Sequence, residues 1–224
     1  MEIEFQDVSV FYDDLPVLRN IRCQVHPGDL ILLTGETGAG KTTFLKLIYG
    51  ALMPTEGTVL VRSADLQTIP SAQLRRLRQQ IGIAFQDVQL LPEWTVEENL
   101  LFVLQHRGLS KEAMRHRILE VLSQLRISHV REKFPAELSG GERQLVGVAR
   151  ALVVDPEILL ADEPTAHLDL YTMDRLIRVL RQYSGDRVVI IATHHPEMIA
   201  AFPQARIFHL QQGALMQLDP QFAG

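Results

Sequence analysis

The stretch that most constrains the fold of this chain is the loop GETGAGKT at residues 35–42. It follows an apolar run, LILLTG at 30–35, which predicts a buried strand, and it opens KTTFLKLIYG at 41–50, which predicts a helix ending at Gly50. The loop fits the pattern G-x-x-x-x-G-K-[ST] in full. Its glycines let the backbone fold closely around an anion, and the helix N-terminus favours negative charge. The sequence therefore predicts a phosphate-binding loop between a strand and a helix.

The side chains at the end of this loop have predicted roles in binding ATP. Lys41 neutralises the β- and γ-phosphates, the Thr42 hydroxyl ligates Mg²⁺, and Thr43 contacts the region of the α-phosphate. A glycine turn without a ligand is the alternative, and the strand and helix on either side of the loop argue against it. The predicted ATP contacts are Gly35, Glu36, Thr37, Gly38, Ala39, Gly40, Lys41, Thr42 and Thr43.

A second apolar run, ILLADE at residues 158–163, ends in two adjacent carboxylates. Ligands of open α/β sheets bind at the carboxyl ends of the strands, where these acids are expected. Asp162 is therefore predicted to hold Mg²⁺, directly or through water, and Glu163 to orient and deprotonate the attacking water. The acids alone are equally explained as a helix N-cap with a solvated neighbour. The phosphate loop favours the catalytic interpretation.

Composition and pattern indicate one α/β domain. The 224 residues are 46% hydrophobic and 22% charged, as in ordinary globular proteins, and the net charge of −5 argues against a general nucleic-acid binder. The single cysteine, Cys23, excludes an internal disulfide and is expected to be a buried, inert thiol. The first third of the chain predicts mainly strands, residues 96–154 predict helices, and strands then alternate with helices up to a hairpin around Gln212.

A second glycine turn, LSGGERQ at residues 138–144, precedes another predicted helix. One nucleotide needs one phosphate cradle, so this turn is redundant unless it serves a nucleotide bound by another copy. The turn is therefore predicted to contact the γ-phosphate of a nucleotide bound by a second subunit, through Ser139, Gly140, Gly141 and Glu142. Ser139 and Glu142 also match a capping box, which is a common pattern. Both interpretations can hold together.

The combined motifs resemble the ATP-binding-cassette ATPases. GETGAGKTT, AFQD, LSGGERQ, ILLADEPT, HLD and ATHH occur in that family's order and spacing, over essentially the whole chain. The resemblance implies a P-loop NTPase fold with a mostly parallel sheet core, an N-terminal antiparallel β subdomain and an inserted α-helical subdomain. The expected single domain, 1–224, comprises a nucleotide-binding core (1–86 and 155–224) and a helical subdomain (87–154) that carries the signature turn.

The resemblance also implies roles that the residues alone do not reveal. Tyr12 would stack on adenine, and Gln86 would contact Mg²⁺ and the attacking water. Asp169 would line a dimer interface, and His194 would contact the γ-phosphate. Without the family, an aromatic residue in a strand and a histidine after one are more often structural.

Within that family the chain resembles the cell-division ATPases of the FtsE type most, in FLKLIYG, KFPAELSGGERQ and GVARALV. This implies an ATP-dependent homodimer that drives an FtsX-like membrane partner. Lipoprotein-release and macrolide-export ATPases share many of these sequence motifs, so a transporter permease is the alternative partner. A soluble cassette acting on DNA or ribosomes is disfavoured, because no second cassette or basic excess is present, and a small-molecule kinase leaves LSGGERQ unexplained.

Three positions depart from the family pattern. Leu145 replaces a usual arginine, Ala166-His167 replaces a frequent Gly-Asn, and His195 stands where an acid is usual. None of these changes removes an expected catalytic group, so ATP hydrolysis is expected.

A membrane role would require another chain, because the sequence has no export signal and no apolar run long enough to span a bilayer. The expected location is the cytoplasm, at the inner face of the membrane. The apolar segment VQLLPEWTVEENLLF at 88–102 is the candidate docking site, through Leu90, Leu91 and Trp94. The alternative is that these three side chains fill the core of the helical subdomain.

Overall fold

Two β-sheets and a set of helices make up residues 1–218, the part of the chain that the computed structural model describes. The strands are β1 (Ile3–Tyr12), β2 (Leu15–Val25), β3 (Leu30–Thr34), β4 (Glu56–Val61), β5 (Ala64–Asp65), β6 (Ile81–Ala84), β7 (Ile158–Asp162), β8 (Val188–Ala192), β9 (Arg206–Gln211) and β10 (Ala214–Leu218). The helices are α1 (Lys41–Ile48), α2 (Ser71–Gln79), α3 (Val96–Leu104), α4 (Lys111–Gln124), α5 (Gly140–Val153), α6 (Leu170–Ser184) and α7 (Pro196–Ala201).

The central sheet has six strands in the order β10-β9-β3-β8-β7-β6. All neighbouring pairs are parallel except β9 and β10, which form the predicted hairpin at the sheet edge. The strands β3, β7 and β8 are buried along their whole length, which explains why they read as unbroken apolar runs. This arrangement confirms the predicted mostly parallel core.

The two faces of the central sheet bury two separate apolar clusters. Leu30 and Leu32 of β3 point into a cluster formed with the helices α3 to α7, whereas Ile31 and Leu33 point into a cluster formed with α1 and the N-terminal strands. Successive side chains of a strand point to opposite faces, so one strand supplies both clusters. The phosphate-binding loop and Glu163 extend from strands that are fixed on both sides.

The smaller sheet is antiparallel, with strand order β2-β1-β4-β5, and it confirms the expected β subdomain. It packs against α1, where Phe5 and Phe44 stack with their ring centroids 4.4 Å apart. Burial raises the pKa of the Cys23 thiol on β2 to about 12, so this thiol stays protonated, as an inert buried cysteine should.

The polar run LRRLRQQ at 74–80 predicts a solvated helix face, and most of it lies in α2. This helix buries Leu77 fully and exposes its polar residues.

Helices α3, α4 and α5 lie between β6 and β7 in the chain, as predicted. Thr95 caps α3 in a complete capping box with Glu98. In α4, Ile118 and Leu122 are buried and Met114 is half-buried against the same apolar cluster. The boundaries 87 and 154 of the helical subdomain remain a prediction, and the end of the predicted core, residues 219–224, lies outside the described residues. Among residues 1–218 no helix has the length and apolar character needed to cross a bilayer.

Gly82 allows β6 to approach α5 closely. A Cβ atom at this position would lie 2.3 Å from the Ala151 carbonyl oxygen and 2.7 Å from Pro156 Cγ. We expect Gly82→Ala to lower the free energy of unfolding by about 1–3 kcal/mol, because neither backbone nor ring can yield cheaply. A thermal melt followed by circular dichroism measures this. Gly140→Ala is the control, since its added methyl group would make an ordinary 3.6 Å contact with His167. Equal melting temperatures for the Gly82 variant and the wild type would contradict the expectation.

Candidate active site

The phosphate-binding loop joins the end of β3 to the start of α1. Gly40 precedes the helix with a φ of 101°, and a Cβ atom at Gly35 would lie 2.4 Å from the Leu210 carbonyl oxygen. The buried Lys41 side chain donates from Nζ to the carbonyl oxygens of Gly35 at 2.7 Å and Glu36 at 3.2 Å. The loop is therefore closed by its own lysine, and the ammonium group lies beside the backbone that would surround a phosphate.

Thr42 and Asp162 meet where α1 begins and β7 ends. The Thr42 hydroxyl donates to Asp162 Oδ2 over 2.6 Å. Asp162 is only 6% exposed, and burial raises the pKa of its carboxyl group while the Thr42 hydrogen bond opposes that rise. A buried carboxylate beside a hydroxyl is a fitting ligand pair for Mg²⁺, which binds oxygen atoms and would offset the desolvation.

Glu163 lies one residue beyond β7 in a left-handed conformation, with a φ of 46°. Its Oε1 atom lies 3.8 Å from Lys41 Nζ and 2.7 Å from His194 Nδ1. Its Oε2 atom is buried and has no hydrogen-bond partner within the described residues. A buried carboxylate oxygen without a donor is unusual, and it is available to accept a proton from a water molecule.

Gln144 is a site residue to which the sequence analysis assigned no role. It lies on α5, is 3% exposed, and its Nε2 atom donates to the Glu163 carbonyl oxygen over 3.4 Å. This bond joins the helix that begins with the LSGG turn to the backbone of Glu163. The sequence signal that could have pointed to Gln144 was a polar residue among apolar ones on the buried face of α5.

The other predicted residues are spread around this centre. Gln86 is exposed in the loop after β6 and lines the same cavity, of about 1240 Å³, as Thr42 and Asp162. Tyr12 is 45% exposed at the end of β1, and the β2 residue Leu18 of the same hairpin packs beside Gly40. The structure thus brings the β1–β2 hairpin to the phosphate loop.

Asp169 caps α6, where its Oδ1 atom accepts a hydrogen bond from the Thr172 backbone over 2.9 Å. This bond and the Thr172 hydroxyl lower the pKa of the Asp169 carboxyl group. The capping function is local, and the dimer-interface role of Asp169 remains a prediction.

The LSGG turn forms the predicted capping box. Ser139 Oγ accepts from the Glu142 backbone over 3.2 Å, and Glu142 Oε2 accepts from the Ser139 backbone over 2.8 Å. The second of these bonds is the main reason why the pKa of Glu142 falls to about 2. Between this turn and residues 35–43, both within the described range, no hydrogen bond or ion pair is formed. Within one chain, the two glycine turns are therefore not joined into one site by such bonds.

The comparison with known proteins decides the family. The family model described as ABC transporter matches residues 18–166, which run from β2 through the phosphate loop and the LSGG turn to just beyond Glu163. The chain belongs to the ABC transporter family. It is an ABC-type ATPase, the enzyme class that the motifs predicted.

Relatives and solved structures support this assignment over nearly the full length. The cell division ATP-binding protein FtsE of Bacillus subtilis is 36% identical over 217 residues, covering 96% of this chain and 95% of FtsE. An ABC transporter ATP-binding protein of Mycobacterium tuberculosis is also 36% identical, over 92% of this chain but only 60% of its own length. A dimeric ATP-binding cassette solved in a post-hydrolysis state with ADP and Pi has a TM-score of 0.90 at 29% identity, covering 97% of this chain and 98% of that cassette.

The departures from the family pattern have clear positions in this ABC ATPase. Leu145 is 2% exposed within the apolar cluster of α3 to α7, where an arginine would be buried among hydrocarbon. His167 lies against the signature turn, with its carbonyl oxygen 3.3 Å from where a Cβ of Gly141 would be. His195 lies beside His194, with ring centroids 4.4 Å apart.

Proposed function

We propose that this ABC ATPase dimerises around two ATP molecules and drives a separate membrane protein, in the manner of a cell-division ATPase. The observation that carries this proposal is the alignment with FtsE, which covers 96% of this chain and 95% of FtsE. The geometry of the site suits ATP hydrolysis, because a phosphate loop, a candidate pair of metal ligands and a buried candidate base lie together at one edge of the central sheet.

Hydrolysis in this proposal relies on three side chains. Lys41 leaves its carbonyl partners to contact the β- and γ-phosphates, since a phosphate is a stronger acceptor for an ammonium group. Glu163 takes a proton from the attacking water at its unpartnered Oε2 atom. His194 lies 2.7 Å from the other carboxylate oxygen, so it orients Glu163. Its contact with the γ-phosphate is part of the proposal.

Mg²⁺ bound by Thr42 and Asp162, with Gln86 at the same cavity, would neutralise charge developing on the phosphate oxygens. Of these, the Thr42 hydroxyl and the Asp162 carboxylate lie close enough to share one ion. Gln86 is exposed and lies on the loop that leads to the helical region, so its amide links metal binding to that region.

The signature turn is proposed to act on the nucleotide of a second copy. Ser139 caps α5, and Gly140 and Gly141 begin it. The backbone N–H groups of the two glycines have no partner within the helix and suit a phosphate. Two copies packed head-to-tail would close two such sites. ATP would then hold the dimer together, and hydrolysis would release it, so a partner that prefers one state would be moved between two conformations. The dimeric cassette with ADP and Pi supports this arrangement by its likeness.

The proposed docking surface for the membrane partner is the groove that continues from Gln86. Its exposed apolar side chains are Phe85 at 40%, Leu91 at 40% and Phe102 at 48%. Of the three residues singled out in the sequence, only Leu91 presents a large exposed surface. Leu90 is half-buried against the helical cluster, and Trp94 is half-buried and packs edge-on against Phe102 at 5.5 Å. Phe85 and Phe102 therefore extend the predicted docking set.

The rim of this groove is positively charged. Arg78, Arg107 and Arg150 donate hydrogen bonds to backbone carbonyl oxygens, and within residues 1–218 none of them has a carboxylate partner. A short helix with an apolar face and an acidic residue would match both features. The cytoplasmic segment of an FtsX-like protein is the proposed occupant.

Replacing Leu91 by glutamate should remove partner binding and leave the ATPase itself intact. The side chain is already 40% exposed, so a charge there costs little stability but disrupts an apolar contact. The measurement is recovery of the membrane protein with the tagged chain from a detergent extract, together with basal ATP hydrolysis. Leu119→Glu on α4, 44% exposed and outside the groove, is the matched control. Equal recovery with both variants would contradict docking at this groove.

The identity of the recovered protein separates the candidates. A membrane protein with four helices and a large extracytoplasmic domain supports the division role. A transporter permease supports the second candidate, a lipoprotein-release or macrolide-type exporter, and the similarity to a mycobacterial ABC transporter ATP-binding protein supports a transporter role in general. Ribosomes or DNA would support a soluble cassette instead.

A further inference from the structure

Three side chains at the proposed hydrolytic site form a set of metal ligands, a role that the function above does not give them. Glu163, His194 and His195 each offer one ligand atom, and these atoms all lie within 4.8 Å of one another. We propose that they form a binding site for a zinc-type transition-metal ion in the nucleotide-free protein, and that this ion holds the ATPase inactive. The geometry of the three groups carries this inference independently of any membrane partner.

The donor atoms have the chemistry that such an ion prefers. Two imidazoles and one carboxylate are a common set of zinc ligands, and three protein ligands leave a fourth position for water. Zinc bonds of about 2.0–2.2 Å place tetrahedral ligands roughly 3.4 Å apart, so the widest pair must close by at most about 1.4 Å. The side chain of His194 is 53% exposed and that of His195 is half-buried, so a metal ion can reach both rings from solvent.

The carboxylate supplies the second observation that points to a ligand. Glu163 is 6% exposed, and its buried Oε2 atom lacks a partner within residues 1–218. The His195 ring also makes no hydrogen bond or ion pair there, since only its backbone N–H is engaged, with Thr193 Oγ1 at 3.1 Å. A carboxylate oxygen and an imidazole ring, neither of them with a hydrogen-bond partner in the described part of the chain, thus lie close to the same point.

Some charged groups around the site attract a metal cation and one repels it. Asp162 adds a second carboxylate next to Glu163, which attracts a cation. Lys41 opposes one, because its Nζ atom lies 3.8 Å from Glu163 Oε1. That ammonium carries one positive charge, so it cannot neutralise both acids, and it also donates to two backbone carbonyl oxygens. The softer, imidazole-binding metals are favoured over Mg²⁺ at this point because two of the three ligands are nitrogen atoms.

Occupation of this site would block hydrolysis for a simple reason. The proposed base, Glu163, would have its lone pairs committed to the metal, and His194 would be turned away from the γ-phosphate. His195 has no role in the proposed hydrolysis. Its replacement should therefore weaken metal binding without removing a group that ATP turnover needs.

The test uses the intact, nucleotide-free protein with Zn²⁺, followed by calorimetry, and with Co²⁺, followed by its visible absorption bands. We expect one equivalent to bind per chain, with an affinity that falls about 10- to 100-fold or more in His195→Ala. Glu163→Gln should weaken binding too, which guards against a folding defect confined to one variant. His116→Ala, which removes an exposed histidine on α4, should bind as the wild type does. Circular dichroism checks that each variant is folded.

Two results would overturn the proposal. One is unchanged Zn²⁺ affinity and an unchanged Co²⁺ spectrum in His195→Ala. The other is an equal loss in His116→Ala, which would show only scattered surface binding. Because these are binding measurements, their failure leaves the proposed ATPase function untouched, and failure of ATP hydrolysis would not produce them.

Discussion

Glu163→Gln should abolish ATP turnover and trap an ATP-bound dimer. The substitution keeps an oxygen that can accept from His194 at the present 2.7 Å distance, so the loop geometry is retained. What is lost is the basic oxygen at the buried, unpartnered Oε2 position. General-base catalysis contributes about 10²- to 10⁴-fold, so phosphate release should fall by that factor. The neutral amide also removes negative charge that would repel the γ-phosphate, which prolongs the bound state.

Phosphate release and light scattering on the same sample measure both parts of this prediction. Glu157→Gln, an exposed acid just before β7 at the opposite end of the strand, is the matched control and should hydrolyse ATP as the wild type does. Unchanged hydrolysis in Glu163→Gln would refute its role as the base. If the variant is saturated with ATP and still scatters as a monomer, the proposal that two copies share each nucleotide is wrong.

The parts of the fold that the sequence predicted best are those where local pattern and tertiary burial agree. The strands β3, β7 and β8 are buried on both faces, so their residues are apolar without interruption, and each is followed by a polar loop. The helix α2 shows the same agreement at the surface. Only Leu77 is fully buried there, and the arginine-rich run of this helix predicts a solvated helix face.

The site was predictable wherever its residues lie at the carboxyl end of a parallel strand. Thr42 and Asp162 could be expected to meet, because Thr42 lies just after the loop that follows β3, and Asp162 ends β7 at the same edge of the sheet. The bond from Gln144 to the Glu163 backbone could not be expected, since it depends on how α5 packs across β7. The same holds for Phe85 and Phe102, whose exposure depends on the groove between the core and the helical region. The prediction that the LSGG turn serves a nucleotide of another subunit rested only on the presence of a second phosphate-binding turn in a chain that needs one.

Lys41→Ala should weaken ATP binding itself, in contrast to the change at Glu163. The Lys41 ammonium is 8% exposed and is held by two carbonyl oxygens in the absence of nucleotide. Its position is therefore prepared before ATP arrives, and little side-chain entropy is lost on binding. A hydrogen bond to a charged group contributes about 1.5–3 kcal/mol, so affinity should fall roughly 10- to 150-fold. Titration with a fluorescent ATP analogue gives this value without relying on turnover.

The comparison of Lys41→Ala with Glu163→Gln separates binding from chemistry at one site. The first variant should lose nucleotide affinity and, because ATP holds the two copies together, should also fail to dimerise at ATP concentrations that saturate the second. Lys111→Ala, an exposed lysine at the start of α4, is the control for a simple change of net charge and should bind as the wild type does. Wild-type affinity in Lys41→Ala would mean that the ammonium serves only to close the empty loop through Gly35 and Glu36. The phosphate contact would then have to come from the backbone alone.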